Sequence, residues 1–231
     1  MSSVESTLFR MLVEDLNSTF LQEYAQRTEI IYREAESRSF GDAAIHEAFK
    51  PYYYGQTRFA LHQSMFIRVA QDCGLEWRIA RSPENGFPTA VVTVGRFFFT
   101  DHYGETAQDT TYIDASLVRQ QNARINLSLI QPSLFEPRFD DARLVSADHI
   151  YANLIHGARG HDFSASGFLR IAFPCLVEST EDESAGQKVR FVENYRLATV
   201  LASILAREAG TTPAVEPRVD TAVPTIRRSQ S

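Results

Sequence analysis

The spacing of the apolar residues changes at Gly74, and this switch bounds the folds open to the chain. Before it, Leu8, Met11, Leu12, Leu16 and Phe20 recur at three- and four-residue steps, the spacing of one helix face. Residues 4–36 are therefore expected to be helical. A second short helix is expected over 40–50, closed by Pro51, because proline restricts the residue before it and has no N–H to donate. A third runs over 56–73, with Phe59, Phe66 and Val69 on one face beside His62 and Met65, and Gly74 as its C-terminal cap.

After Gly74 the period shortens. Leu75–Ala80 alternates, SPENG is a turn, and TAVVTV and RFFFTDHY are β-rich runs parted by Gly95. Residues 112–123 read as helix, and Arg124–Ile130 as a strand with Ile125, Leu127 and Leu129 on one side. Residues 131–143 hold two prolines and read as irregular. HIYANLIHG and GFLRIAFPCLV read as adjacent strands around a glycine- and serine-rich loop. Residues 189–209 carry Val192, Tyr195, Leu197, Val200, Leu201, Ile204 and Leu205 as a wide helical stripe that Gly210 stops. The expected fold class is α+β: N-terminal helices, a central mostly antiparallel sheet, a long C-terminal helix and a disordered tail. Residues 1–210 are expected as a single α+β domain and 211–231, with three prolines and few large apolar side chains, as the tail.

The 16 Phe and 9 Tyr point to a core built around rings. The net charge of -6 and the lack of an obvious basic face disfavour direct nucleic-acid binding. No apolar run approaches the length of a membrane span, and the polar, acidic start lacks the form of a signal peptide. Cys73 and Cys175 have no paired spacing and read as free thiols of a reducing compartment. A cytoplasmic location follows as an expectation.

No residue pattern specifies an active site or a cofactor. His46-Glu47 begins like a zinc-protease helix, but position 50 is Lys, so no metal site is read there. Asp101-His102 ends a strand without a recognisable nucleophile nearby. His156, Arg159, His161 and Asp162 cluster after a strand, where an imidazole base and an anion-holding Arg could meet. An enzyme with its site near His102, His156, Arg159 and His161 requires these side chains to converge in one pocket. Tyr52, Tyr53, Tyr54 and Arg58 form an aromatic and basic group suited either to stacking a base or to helix packing.

One short motif stands apart. Gln131-Pro132-Ser133-Leu134-Phe135 resembles the pentapeptide with which bacterial replication proteins dock on the sliding clamp of DNA polymerase III: four of its five positions match the usual choice, and Pro132 departs from it at the second, variable position. In such a peptide the Gln amide works at a polar rim, and Leu and Phe fill an apolar pocket. Pro132 and Pro137 disfavour helix and lower the entropy lost on docking. Asn126-Leu127-Ser128-Leu129-Ile130 is a poorer second frame. A chain of this character resembles the SocB toxins of bacterial toxin–antitoxin systems. That resemblance implies a non-enzymatic inhibitor of replication that competes for the clamp groove, with a SocA-like antitoxin or adaptor and the ClpXP protease as further partners. The alternatives left open are an enzyme with a His/Arg site, and another interaction module such as an antitoxin.

Overall fold

The computed structural model describes residues 6–83, 86–110, 113, 117–131, 137–160, 162–178 and 187–211. Three N-terminal helices come first: α1 (Thr7–Asp15), α2 (Ser18–Phe40) and α3 (Lys50–Asp72). The single helix expected over 4–36 is broken at Leu16-Asn17. Leu16 takes an extended backbone, and the Asn17 side chain accepts from the Phe20 N–H at 2.8 Å, capping α2. Residues 40–50 hold only a short 3-10 turn, Glu47–Phe49. Pro51 does not end a helix but opens α3, in the first turn, where a missing N–H costs nothing.

Six strands form the main sheet: β1 (Glu76–Arg81), β2 (Pro88–Val94), β3 (Phe97–Tyr103), β6 (Ile150–Arg159), β7 (Asp162–Glu178) and β8 (Gln187–Arg196), in the order β1-β2-β3-β6-β7-β8. Every joint is antiparallel except β3 to β6, which runs parallel from Phe97↔Ile150 to Tyr103↔His156. Between β3 and β6 lie α4 (Leu117–Leu127), a two-stranded hairpin of β4 (Ile130–Gln131) and β5 (Arg138–Phe139), and α5 (Asp141–Val145). The fold is therefore α+β with N-terminal helices and a mostly antiparallel sheet.

Two expectations are corrected here. Arg124–Ile130 is helical as far as Leu127, because Asn126 and Ala123 both face the sheet from one helix side. The long C-terminal helix is short: α6 spans Leu197–Glu208, and Gln187–Arg196 is strand β8. Val189, Val192 and Tyr195 fit a helical stripe by spacing, but the backbone of β7 from Arg170 to Glu178 offers a full edge, and pairing along it satisfies the N–H and C=O groups of β8. The tail from residue 212 onward lies outside the described residues. No helix among the described residues is long and apolar enough to cross a membrane.

The sheet has two covered faces. Strand alternation sends Phe97, Phe99, Ala152 and Leu154 towards α1, α2, α3 and α6, forming the larger core with Phe20, Phe66 and Ile204. Phe98, Tyr151 and Val91 point to the other face, under Ala123 of α4. A single amide locks α4 there. The β6–β7 ladder begins at Asn153↔Ala172, and at Pro174 the pairing of β7 with β8 shifts register. Asn126 fills the gap: its amide donates to Tyr151 O and Pro174 O, both at 2.8 Å, and accepts from the Tyr151 N–H at 2.9 Å. Asn126→Ala leaves three buried backbone groups without these partners. It is expected to lower stability by more than about 2 kcal/mol in urea denaturation, whereas Leu127→Ala at the exposed neighbour changes little.

At the edge strand β8, the Ser6 hydroxyl donates to Glu193 Oε2 at 2.8 Å and lies 2.7 Å from the Tyr195 hydroxyl. Burial pushes the Glu193 carboxyl up to about 7 from its ordinary 4.5. The folded chain thus holds this proton more tightly than the unfolded chain. Its stabilising effect is complete below about pH 4.5 and is lost as pH rises towards 7. Over that window the melting temperature of the wild type is expected to fall relative to Glu193→Gln, with the variant the more stable at pH 8.

Candidate functional site

The polar groups in the larger core gather around one carboxylate. Asp101 sits in β3, its side chain on the helix-covered face and 1 % exposed. From α2 the Tyr24 hydroxyl donates to Asp101 Oδ1 at 2.5 Å. From α3, His62 places Nδ1 3.4 Å from Asp101 Oδ2, and from β6, His156 places Nε2 3.7 Å from the same oxygen. The two imidazoles stack, with centroids 3.7 Å apart and planes 8° apart. The Tyr32 hydroxyl lies 2.8 Å from His156 Nδ1 and orients that ring. Gln63, next to His62, donates to Asp101 O at 3.1 Å and accepts from the Ala90 N–H at 2.7 Å, which ties α3 to β2 and β3.

Three buried atoms in this centre have no hydrogen-bond partner: Asp101 Oδ2 and both ring nitrogens of His62. Donor atoms of His62, Asp101 and His156 all lie within 4.8 Å of one another. Burial alone would raise the Asp101 carboxyl, but His156 and His62 beside it hold it well below its usual range. Burial, then His62, pulls His156 down to about 4, against the opposing pull of Asp101. Burial and then Asp101 push the Tyr24 hydroxyl well up. Arg58 closes the upper end, its guanidinium 3.5 Å from the Tyr103 ring centroid and 5.0 Å from that of Tyr54.

The expected convergence of His102, His156, Arg159 and His161 does not form. His102 is one residue past Asp101, so it points to the opposite face, where Thr100 Oγ1 meets His102 Nε2 at 2.6 Å, the Tyr151 hydroxyl at 2.8 Å and Asn153 Oδ1 at 2.9 Å. Burial, then Arg119, lowers His102 well below its ordinary value. Arg159 is exposed at the end of β6, and His161 lies outside the described residues. Only His156 belongs to the polar centre. Of the aromatic group, Tyr54 and Arg58 are buried in helix packing, whereas Tyr52 and Tyr53 are exposed. His46 and Glu47 are exposed in the 3-10 turn and its cap.

The sequence did not single out His62, Tyr24 or Tyr32. Their signal is position: each lies on the apolar face of its helix, and Asp101 continues the apolar run Phe97–Thr100, which marks it as a carboxylate carried into the interior. In the docking segment, Gln131 is exposed in β4 opposite Arg138, and Pro132, Ser133, Leu134 and Phe135 lie outside the described residues. In the second frame Asn126 and Leu129 are buried, Leu127 and Ser128 are exposed, and Ile130 is half-buried in β4.

Comparison with family models, with curated proteins and with solved structures finds no match to this chain. The polar centre can be tested directly. Tyr24→Phe removes the one hydroxyl donor on Asp101 Oδ1 and is expected to cost about 1–3 kcal/mol in urea denaturation, against almost nothing for Tyr53→Phe at the surface.

Proposed function

We propose that the chain is a binding protein that docks on the bacterial sliding clamp through Gln131, Pro132, Ser133, Leu134 and Phe135, and restrains replication by occupying the groove that replication proteins share. The observation that carries this reading is the placement of Gln131, exposed at the base of a hairpin that stands apart from the six-stranded sheet. The base is anchored. Phe139, opposite Ile130, is buried in the core, and the Arg143 guanidinium donates to Ile130 O at 3.0 Å and Ser128 O at 3.2 Å. A segment tethered at both ends loses less entropy on docking than a free peptide.

The polar centre supports the same reading from the other side. His62, Asp101 and His156 have side chains only 1–2 % exposed, so the cluster richest in catalytic residue types offers a substrate no direct approach. By the same resemblance, a SocA-like antitoxin or adaptor and the ClpXP protease would be further partners.

A pull-down with purified sliding clamp tests the proposal. The wild type is expected to be retained. Gln131→Ala, and Leu134→Ala combined with Phe135→Ala, are expected to weaken capture by at least about tenfold while circular dichroism is unchanged. Equal capture of all three proteins, or capture of none, would rule the reading out.

A further inference from the structure

We propose that His62, Asp101 and His156 form a binding site for one divalent transition-metal ion of the zinc class. The argument begins with the unpartnered atoms. Buried polar groups are normally paired, and one buried without a partner costs free energy. Here Asp101 Oδ2 and both nitrogens of His62 have no hydrogen-bond partner although their side chains are 1–2 % exposed. Asp101 Oδ2 lies 3.4 Å from His62 Nδ1 and 3.7 Å from His156 Nε2, so one ion would take up that oxygen and one of the two His62 nitrogens. Zinc bonds of about 2.0–2.2 Å to nitrogen and oxygen set tetrahedral donors about 3.3–3.6 Å apart. The two measured edges lie at or just beyond that spacing.

Two of the three donors, Asp101 and His156, have the surroundings that metal ligands need. An imidazole ligand commonly has its second nitrogen held by an outer partner, and a carboxylate ligand its second oxygen. Tyr32 meets His156 Nδ1 and Tyr24 donates to Asp101 Oδ1, which leaves His156 Nε2 and Asp101 Oδ2 turned inward. Two imidazoles and one carboxylate suit a borderline ion. Magnesium and calcium favour all-oxygen ligand sets. Three protein donors leave a fourth position, the count found where zinc also holds a water. Each imidazole lone pair lies in its ring plane, so the stack, now 8° from parallel, must tilt open for both nitrogens to face one ion. The ligands come from α3, β3 and β6, so the ion would pin a helix to the parallel joint of the sheet. This site is separate from the docking segment, and its test is independent of clamp capture.

The full chain is stripped with a chelator, then titrated with Zn²⁺ and, separately, with Co²⁺. One equivalent is expected to bind and to raise the melting temperature. Bound Co²⁺ should show the intense visible absorption of a tetrahedral nitrogen and oxygen site, without a thiolate charge-transfer band. His62→Gln and Asp101→Asn should lose the bound equivalent, Tyr32→Phe should bind about tenfold more weakly, and the exposed His46→Gln and His149→Gln should bind as the wild type does. If the core variants fail to fold, the cobalt spectrum of the unaltered chain decides. No uptake, thiolate ligation, or unchanged binding in folded His62→Gln would overturn the proposal.

Discussion

A carboxylate inside an aromatic core is the constraint around which the larger face of this protein is arranged. Asp101 cannot be ionised there without compensation, because an isolated buried charge is far too costly. Its compensation comes from three directions: Tyr24 on α2, His62 on α3 and His156 on β6. Each of these contacts also sets a packing relation. The helices cannot slide along the sheet without separating these groups from Asp101, and Gln63 adds a second tie by bridging Asp101 O and the Ala90 N–H. Apolar rings such as Phe20, Phe66 and Phe99 supply the bulk of the core, but they tolerate small shifts that hydrogen bonds do not.

The opposite face solves a different problem by similar means. Pro174 has no N–H, and the β6–β7 ladder reaches only to Asn153↔Ala172, so the backbone of β6 at Tyr151 needs another partner. A side-chain amide can donate and accept through separate atoms at once, and Asn126 does both. Position 126 therefore has to be on a helix facing inward. That requirement overrides the alternating pattern of Arg124–Ile130, which on its own reads as a strand.

The legible parts of the fold were those where composition and period agreed. The edge strand from Glu76, the runs Pro88–Val94 and Phe97–Tyr103, and the pair around Gly160 follow from alternation and turn residues. The failures share a cause. Val189–Tyr195 has a spacing that satisfies both periods, and only the open edge of β7 decides between them. Pro51 is compatible with ending one helix or starting the next, and the choice depends on where α3 must begin to bring Arg58 and His62 under the sheet. The polar centre was half legible. Asp101 and His156 were singled out, but in separate proposals, because nothing local reveals that β3 and β6 lie side by side. His62 needed that long-range knowledge as well as the helix face.

The parallel joint between β3 and β6 has a consequence for how the chain reaches this state. On either side of it the strands are connected locally: β1 to β3 through short turns such as the one at Gly95, whose φ of 56° suits a residue without a side chain, and β6 to β8 in sequence order. These two halves are favoured to form early, since little chain entropy opposes their closure. Joining Phe97 to Ile150 means closing the whole intervening excursion through α4 and the hairpin, so the seam is the kinetically demanding step. Asp101 and His156 meet only when that seam zips. The polar centre would then act as a proofreading latch on topology, since a mispaired register strands a charged group in the interior.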